Sequence, residues 1–227
     1  EKSSACAMLA ATPVTVNLAH WNPHYECFVK EPECKANASL ALTNLLSTSC
    51  SPTGCSDGEL DFASIIEFEV SDFSLPPGWA TIGAYESCGY DWATLFYNTK
   101  RWQLKDNSTA VGCIAKGRSF AAGLFSAVGG ESAVTVVSAH YPQTQHNASA
   151  YVEASAHLRM TFERLGQSAA ILMADTNTES PEAATAIPYH NTSGGVNRTN
   201  AELLADLGLW SSEHEPPAAP LFKGCCC

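Results

Sequence analysis

Four apolar runs, each followed by a polar side chain that can bind a metal ion or a phosphate, constrain most strongly how this chain can fold. The runs and the residues that end them are 13–21 with Asn22, 63–68 with Glu69, 133–139 with His140, and 169–174 with Asp175-Thr176-Asn177. Such runs of Val, Ile, Leu and Ala are typical of strands buried on both faces. Because loops gather where buried strands end, the four endings predict one site assembled from distant parts of the chain.

The size and composition indicate one large domain spanning residues 1–227. A chain of 227 residues with 45% hydrophobic and 15% charged residues can build a sizeable core. No uninterrupted apolar stretch reaches the ~20 residues that a membrane-spanning helix needs. The net charge of −11 opposes binding to nucleic acid unless a basic patch or bound cations intervene. It fits a carboxylate-lined divalent-metal site, and it equally fits a secreted protein kept soluble by its charge.

Cysteines and glycosylation sequons favour the secretory pathway. Four of the ten cysteines (Cys27, Cys34, Cys50 and Cys55) cluster at about 23–60, which predicts an irregular insertion held by disulfides in an oxidising compartment. A zinc site is the alternative, but it would favour tighter Cys-x-x-Cys pairs. The Asn-x-Ser/Thr sequons begin at Asn37, Asn107, Asn147, Asn191 and Asn197. We therefore expect a secreted or cell-surface glycoprotein whose leader has been removed before Glu1.

The remaining periodicity predicts an α+β protein in which helices cover sheets. A short helix is predicted over 39–47 and a longer one over 149–166, with apolar positions Tyr151, Ala154, Leu158, Met160, Phe162 and Leu165. Residues 92–98 and 102–104 are predicted to pair as a hairpin, and residues 118–125 and 133–140 as neighbouring antiparallel strands. Residues 200–207 are predicted to form a last short helix that Gly208 ends.

The polar residues at the strand ends are typical of metal-assisted hydrolysis of a phosphate ester. Glu69 and Asp175 supply the hard oxygen ligands that Mg²⁺ or Ca²⁺ prefers, and Asn22 and Asn177 add neutral amides. A histidine such as His140 can move a proton near neutral pH, and Arg118, which opens a predicted strand, can clamp a phosphate. Each of these residues alone is more often structural, so the prediction depends on the ordered set.

Several segments in the same order resemble the endonuclease/exonuclease/phosphatase superfamily, which includes deoxyribonuclease I, neutral sphingomyelinases and inositol phosphatases. The segments are Trp21-Asn22, Ile65-Ile66-Glu67-Phe68-Glu69-Val70, Val137-Ser138-Ala139-His140, Met173-Ala174-Asp175-Thr176-Asn177 and residues 203–210. The resemblance implies a four-layer sandwich of two mixed sheets flanked by helices. It implies that Glu69 with Asn22 holds Mg²⁺ or Ca²⁺, that Glu67 is a neighbour, and that His140, Asp175 and Asn177 are catalytic. Similarity to deoxyribonuclease I adds Tyr90 and Arg118 as phosphate contacts and makes DNA or RNA the first expectation among phosphoester substrates.

The chain departs from the family pattern in two places. Ala174 and Thr176 replace the usual glycine and aromatic residue around Asp175. The family's closing Ser-Asp-His does not follow Trp210, and His214 lies in a different context. The fold's last strands are therefore expected to be missing, which leaves a sheet edge that a protein partner could cover. The alternative hypothesis is a non-catalytic extracellular structural or adhesion module that keeps the same fold.

Overall fold

The computed structural model describes residues 15–47, 59–83, 88–89, 91–142, 148–166, 169–177, 189–190 and 197–198. Three helices and ten strands lie in these ranges. They are β1 (Leu18–Trp21), α1 (Tyr25–Val29), α2 (Pro32–Ser47), β2 (Phe62–Ile66), β3 (Trp79–Gly83), β4 (Ala93–Asn98), β5 (Trp102–Ala115), β6 (Arg118–Ala127), β7 (Ala133–His140), α3 (Ala148–Leu165), β8 (Ala170–Asp175), β9 (Tyr189–His190) and β10 (Asn197–Arg198).

Two four-stranded mixed sheets form the centre of the molecule, as predicted. The first sheet has the order β1-β2-β4-β3, and the second has the order β5-β6-β7-β8. Each contains one parallel pair, β1 with β2 and β7 with β8, while the other neighbours are antiparallel. The predicted antiparallel pairing of the two strands around residues 118–125 and 133–140 is confirmed by the register Phe120↔Ala139 to Ser126↔Ala133.

The sheets stack face to face, and helices cover their outer surfaces. The core between the sheets includes Phe62, Leu95, Phe125, Val136 and Met173. Side chains of α1 and α2 pack on the first sheet, and side chains of α3 pack on the second. The prediction of a helix–sheet–sheet–helix sandwich is therefore confirmed. Burial between the layers explains the continuous apolar runs of β2 and β7, whereas β5 alternates between buried and exposed residues.

The hairpin predicted between residues 92–98 and 102–104 does not form. Instead, β4 pairs with β2 and β3 in the first sheet, and β5 begins in the second sheet. Asp61 explains the crossover, because its buried carboxylate accepts hydrogen bonds from Arg101 Nε at 2.5 Å and from Trp102 Nε1 at 2.6 Å. A short turn therefore carries the chain between sheets rather than back along its own sheet.

The segment predicted as an irregular insertion contains regular structure. α2 begins at Pro32, seven residues before the predicted start of the helix at 39, and proline is favoured at a first helical position because its missing N–H would be unpaired there anyway. A disulfide joins Cys27 to Cys34 and so connects α1 with α2. A second disulfide joins Cys88 to Cys113. Cys50 and Cys55 lie outside the described residues.

The long predicted helix is confirmed as α3, which Gly166 follows at a φ of 80°. Ala154, Leu158, Phe162 and Leu165 are buried as predicted, but Met160 is 60% exposed because it falls on the opposite face of the helix. No helix in the described ranges has both the length and the apolar character that crossing a membrane requires. The helix predicted at 200–207 lies outside the described residues.

Candidate metal and phosphoester site

The sheet topology brings distant polar residues to one edge of the sandwich. The chain leaves β1, β2, β7 and β8 at this edge, while β4 and β6 begin there because they run antiparallel to β2 and β7. The side chains brought together are Asn22, Glu67, Asp91, Arg118, His140 and Asp175. The predicted convergence of strand ends is thus present.

The side-chain amide of Asn22 connects carboxylates from the two sheets. Its Nδ2 donates to Glu67 Oε1 at 3.1 Å and to Asp175 Oδ2 at 2.8 Å. The backbone N–H of His24 donates to Asn22 Oδ1 at 2.8 Å and fixes the amide from the other side. Asn22 and Asp175, which are 153 positions apart in the sequence, are therefore in direct contact through this amide.

Glu67 is held rigidly although it directly follows β2. It is only 7% exposed, and the backbone N–H of Tyr25 donates to its Oε2 at 2.5 Å. Its φ of 59° lies in the left-handed region, which costs free energy for a residue with a side chain. This backbone conformation, together with the two donors, points the Glu67 carboxylate at the cluster.

His140 lies at the centre of the cluster and is 1% exposed. Its Nε2 is 3.7 Å from Glu67 Oε1 and 3.9 Å from Asp175 Oδ2. Arg118 Nη1 lies 3.2 Å from Nδ1 and 3.0 Å from Nε2 of the ring. Burial, followed by repulsion from Arg118, lowers the pKa of His140 to about 3. The imidazole is therefore neutral at pH 7.

Arg118 and Asp91 form an ion pair above His140. Arg118 Nη1 donates to Asp91 Oδ2 at 2.5 Å, and both side chains are less than one-fifth exposed. Burial raises the pKa of Asp91, with the attraction of Arg118 opposing the shift. The buried hydroxyl of Ser119 fixes this turn, since it donates to Asp91 O at 3.0 Å and accepts from Ala93 N at 2.6 Å.

Asp175 and Asn177 border the site where the chain leaves β8. Asp175 Oδ1 accepts from the backbone N–H of Asn177 at 2.8 Å, while Asn177 Nδ2 donates to the carbonyl of Tyr141 at 2.7 Å. Burial alone would raise the pKa of Asp175, but the hydrogen bonds from Asn22 and Asn177 and the neighbouring histidines hold that pKa below its ordinary value. Asp175 is therefore a carboxylate near neutral pH.

The chemistry of the cluster fits a divalent cation. One ligand atom each from Glu67, Asp91 and His140 lies within 4.8 Å of the others, and Asp175 adds a carboxylate next to His140. The described residues of the cluster include three carboxylates (Glu67, Asp91 and Asp175) and the guanidinium of Arg118. When all four are ionised and His140 is neutral, the cluster carries an excess of two negative charges. Clustered, half-buried carboxylates repel one another, and a bound cation relieves that repulsion.

The other predicted site residues occupy different environments. Glu69 Oε1 accepts from the backbone N–H groups of Asp91 at 2.6 Å and Trp92 at 3.4 Å, so it orders the chain entering β4. Burial raises the pKa of Glu69, although these two donors oppose the shift. Tyr90 lies outside the described residues.

Two of the predicted glycosylation positions are exposed, namely Asn37 on α2 and Asn107 in β5. Asn197 begins β10. Asn147 and Asn191 lie outside the described residues. The exposure of Asn37 and Asn107 is compatible with glycosylation, which stays a prediction.

Sequence reasoning gave no site role to Asp91 and treated Glu67 only as a neighbour of the metal ligand. Glu67 carried a usable signal, because it is the first polar residue after the run that forms β2. Asp91 carried a weaker signal, because it is only a polar residue between Gly89 and the strand that begins at Ala93. Its φ of 63° and its pairing with Arg118 are apparent only in three dimensions.

No protein-family model and no curated protein matches this chain. Among solved structures it is similar to an endonuclease/exonuclease/phosphatase family protein from Bacteroides thetaiotaomicron, with 15% identity and a TM-score of 0.57 over 74% of this chain and 64% of that one. A mannosyl-6-phosphatase from the same species matches with 14% identity and a TM-score of 0.56 over 73% of this chain and 67% of that one. D. rerio TDP2 complexed with a single-strand DNA product matches with 12% identity and a TM-score of 0.50 over 85% of this chain and 64% of that one.

These likenesses show the fold. The chain has the endonuclease/exonuclease/phosphatase fold, as the sequence resemblance predicted. It spans 64% of the length of the first of these solved structures. At 12–15% identity, the similarity does not carry an activity from those proteins to this one.

Proposed function

We propose that this protein is a divalent-metal-dependent phosphoric ester hydrolase. The observation that carries the proposal is the Asn22 amide, which bonds Glu67 and Asp175 from opposite sheets beside the buried, neutral His140. Burying polar groups costs free energy, and titratable groups gathered in this way are candidates for a hydrolytic site.

Glu67, Asp91 and Asp175 would hold Mg²⁺ or Ca²⁺, with the Asn22 amide as a neutral partner. Oxygen-rich donor sets of this kind suit both ions. A bound cation would polarise a phosphoryl oxygen and stabilise the charge that develops in the transition state. The predicted role of Glu69 as the metal-binding glutamate stays a prediction, and the Glu69 carboxylate is engaged by two backbone amides in this structure.

His140 and Arg118 supply the remaining chemistry. The neutral imidazole has one nitrogen free of a proton, which can accept a hydrogen bond from an attacking water molecule and orient it. Arg118 uses Nη1 on Asp91 and His140, and a guanidinium has five N–H donors, so the others can contact a phosphate. Asn177 fixes one oxygen of Asp175 through its backbone and thereby keeps the other directed towards Asn22.

A nucleic acid, DNA or RNA, is our first proposal for the substrate. The similarity to a protein crystallised with a single-strand DNA product supports it at the level of the fold. The net charge of −11 favours a substrate that reaches the site as a flexible strand or an end, because a long duplex would bring many phosphates near an acidic surface. A small phosphoester is the alternative substrate, with the mannosyl-6-phosphatase as the similar fold.

We also propose that the protein is secreted and glycosylated. The Cys27–Cys34 and Cys88–Cys113 disulfides support an oxidising compartment. The exposed sequon asparagines Asn37 and Asn107 are accessible to a glycosyltransferase. Mass spectrometry of the protein from its native source, before and after removal of N-glycans, tests this proposal. A mass unchanged by that treatment would contradict glycosylation.

The hydrolase proposal is tested with purified protein, single-stranded and plasmid DNA, RNA, and a chromogenic phosphodiester, in Mg²⁺ plus Ca²⁺ and again in EDTA. We expect hydrolysis that EDTA abolishes and that is lost in His140→Ala. His157→Ala is the matched control, because His157 lies on α3 and packs its ring on Phe120 of β6 rather than in the cluster. Absence of hydrolysis of all these substrates by the wild-type protein would favour a structural or adhesion module.

A further inference from the structure

A chain of hydrogen bonds crosses the sandwich directly beneath the candidate site. The hydroxyls of Ser64 in β2 and Ser138 in β7 are 2.7 Å apart, and both residues are fully buried. His20 Nδ1 in β1 lies 3.0 Å from the same Ser64 hydroxyl. These hydrogen bonds therefore join three strands and connect the two sheets through polar groups.

The position of these hydrogen-bonded residues relative to the site follows from strand periodicity. Along a strand, residues i and i+2 lie on the same face. His20 precedes Asn22 by two residues, and Ser138 precedes His140 by two. Met173, whose carbonyl lies 3.4 Å from the Ser64 hydroxyl, precedes Asp175 by two. The polar chain is thus the layer immediately below the residues that form the site.

The rest of the interface between the sheets is built differently. Large apolar side chains such as Phe62, Phe125 and Val136 fill it. Buried hydroxyls cost free energy unless they are paired, and two facing serines allow the sheets to approach more closely than larger side chains would. The Asn22–Asp175 and Glu67–His140 contacts span the same gap, so the width of the gap at the serine layer fixes their lengths.

We propose that Ser64 and Ser138, extended by His20, are positioning residues that set the distance between the sheets and thereby the geometry of the metal cluster. This inference rests on the proposed function, because it assigns the layer's purpose to that site. The serine pair lies below the site and acts through the strand ends, with Glu67 three residues after Ser64 and His140 two residues after Ser138.

The test compares Ser64→Ala, Ser138→Ala and the double variant with Thr135→Val. Thr135 is a matched control, since it lies on the same strand as Ser138, is fully buried, and has a hydroxyl without a hydrogen-bond partner among the described residues. The readouts are Mn²⁺ affinity by calorimetry, kcat and KM separately, and the midpoint of urea unfolding without metal.

We expect each serine variant to weaken Mn²⁺ binding by about 10-fold or more, the range seen when partners behind metal ligands are removed. The loss should lie in kcat rather than KM, and the double variant should lose less than the two single losses combined, because both changes remove the Ser64–Ser138 bond. Thr135→Val should retain wild-type affinity. Serine variants that bind Mn²⁺ as the wild type does would overturn the inference.

A wild-type protein that neither binds Mn²⁺ nor hydrolyses any substrate would instead refute the proposed function. The positioning role is then decided by unfolding without metal. If Ser138→Ala and Asn22→Ala shift the urea midpoint by amounts that do not add, the layer is coupled to the site residues. Additive shifts would overturn the inference.

Discussion

At the residue scale, the two glutamates after β2 differ in what their carboxylates contact. Glu67 bonds Asn22 and faces His140, whereas Glu69 accepts two backbone N–H groups of the chain entering β4. The left-handed backbone of Glu67 separates their directions. The sequence predicted a glutamate after β2 but not which of the two enters the cluster. The positive φ of Glu67 changes the directions of the side chains at this turn, and the sequence does not reveal that φ.

The first prediction distinguishes these two positions. Glu67→Gln removes a negative charge from the cluster and should lower metal-dependent hydrolysis by more than about 100-fold, since even partners behind a metal ligand cost about 10- to 100-fold. Glu69→Gln keeps an oxygen for the amides of Asp91 and Trp92, so we expect a much smaller loss. Steady-state rates at saturating Mg²⁺ measure both. A larger loss in Glu69→Gln would assign the metal to Glu69, and equal losses would contradict a metal site that includes Glu67 but not Glu69.

Asp61 supports a prediction about stability. Its fully buried carboxylate accepts hydrogen bonds from the Asn17 backbone at 2.7 Å and from the side chains of Arg101 and Trp102. In Asp61→Asn, the N–H groups of the new amide would lie against the N–H groups that now donate to the carboxylate, and the ion pair with Arg101 would be lost. We expect a cost of about 3 kcal/mol in the free energy of unfolding. Urea denaturation measures the change, with Asp72→Asn at an exposed turn as the control. A loss no greater than that of the control would refute the role of Asp61 in the crossover.

At the element scale, the apolar runs predicted strands well, while connections between strands were harder to predict. β2, β7 and β8 lie where continuous runs placed them. The pairing of β4 was wrong because a short turn before Trp102 resembles a hairpin, and its true role depends on Asp61, 41 residues away from Trp102. Residues 39–47 carried helical spacing, but the earlier start of α2 at Pro32 was hidden by cysteines that suggested irregular structure.

Helix α3 gives a prediction at this scale. Leu158 is fully buried against the second sheet, whereas Met160 on the same helix is 60% exposed. Leu158→Ala should lower the free energy of unfolding by about 2–5 kcal/mol through lost burial and a residual cavity. Met160→Ala should change it by less than about 0.5 kcal/mol, as exposed positions generally do. Thermal or urea unfolding measures both changes in the free energy of unfolding. Similar changes for the two variants would contradict the placement of this helix.

At the scale of the whole molecule, two stacked mixed sheets turn the ends of β1, β2, β7 and β8 towards one edge. The order of residue types along the sequence predicted that convergence, because Asn22, His140 and Asp175 each follow an apolar run, although β1 before Asn22 is only partly buried. It could not predict Asp91, whose place depends on β4 lying antiparallel beside β2. Nor could it predict the serine layer, because Ser64 and Ser138 read as ordinary small residues within strands.

We propose that these strand ends form one divalent-cation site. The most direct measurement is a calorimetric titration of the purified, metal-free protein with Mn²⁺, repeated on Asp175→Asn and on His157→Ala. We predict saturable binding by the wild type and by His157→Ala, with binding lost or weakened at least about 10-fold in Asp175→Asn. A wild-type protein that binds no Mn²⁺, or an Asp175→Asn variant that binds it unchanged, would contradict the claim.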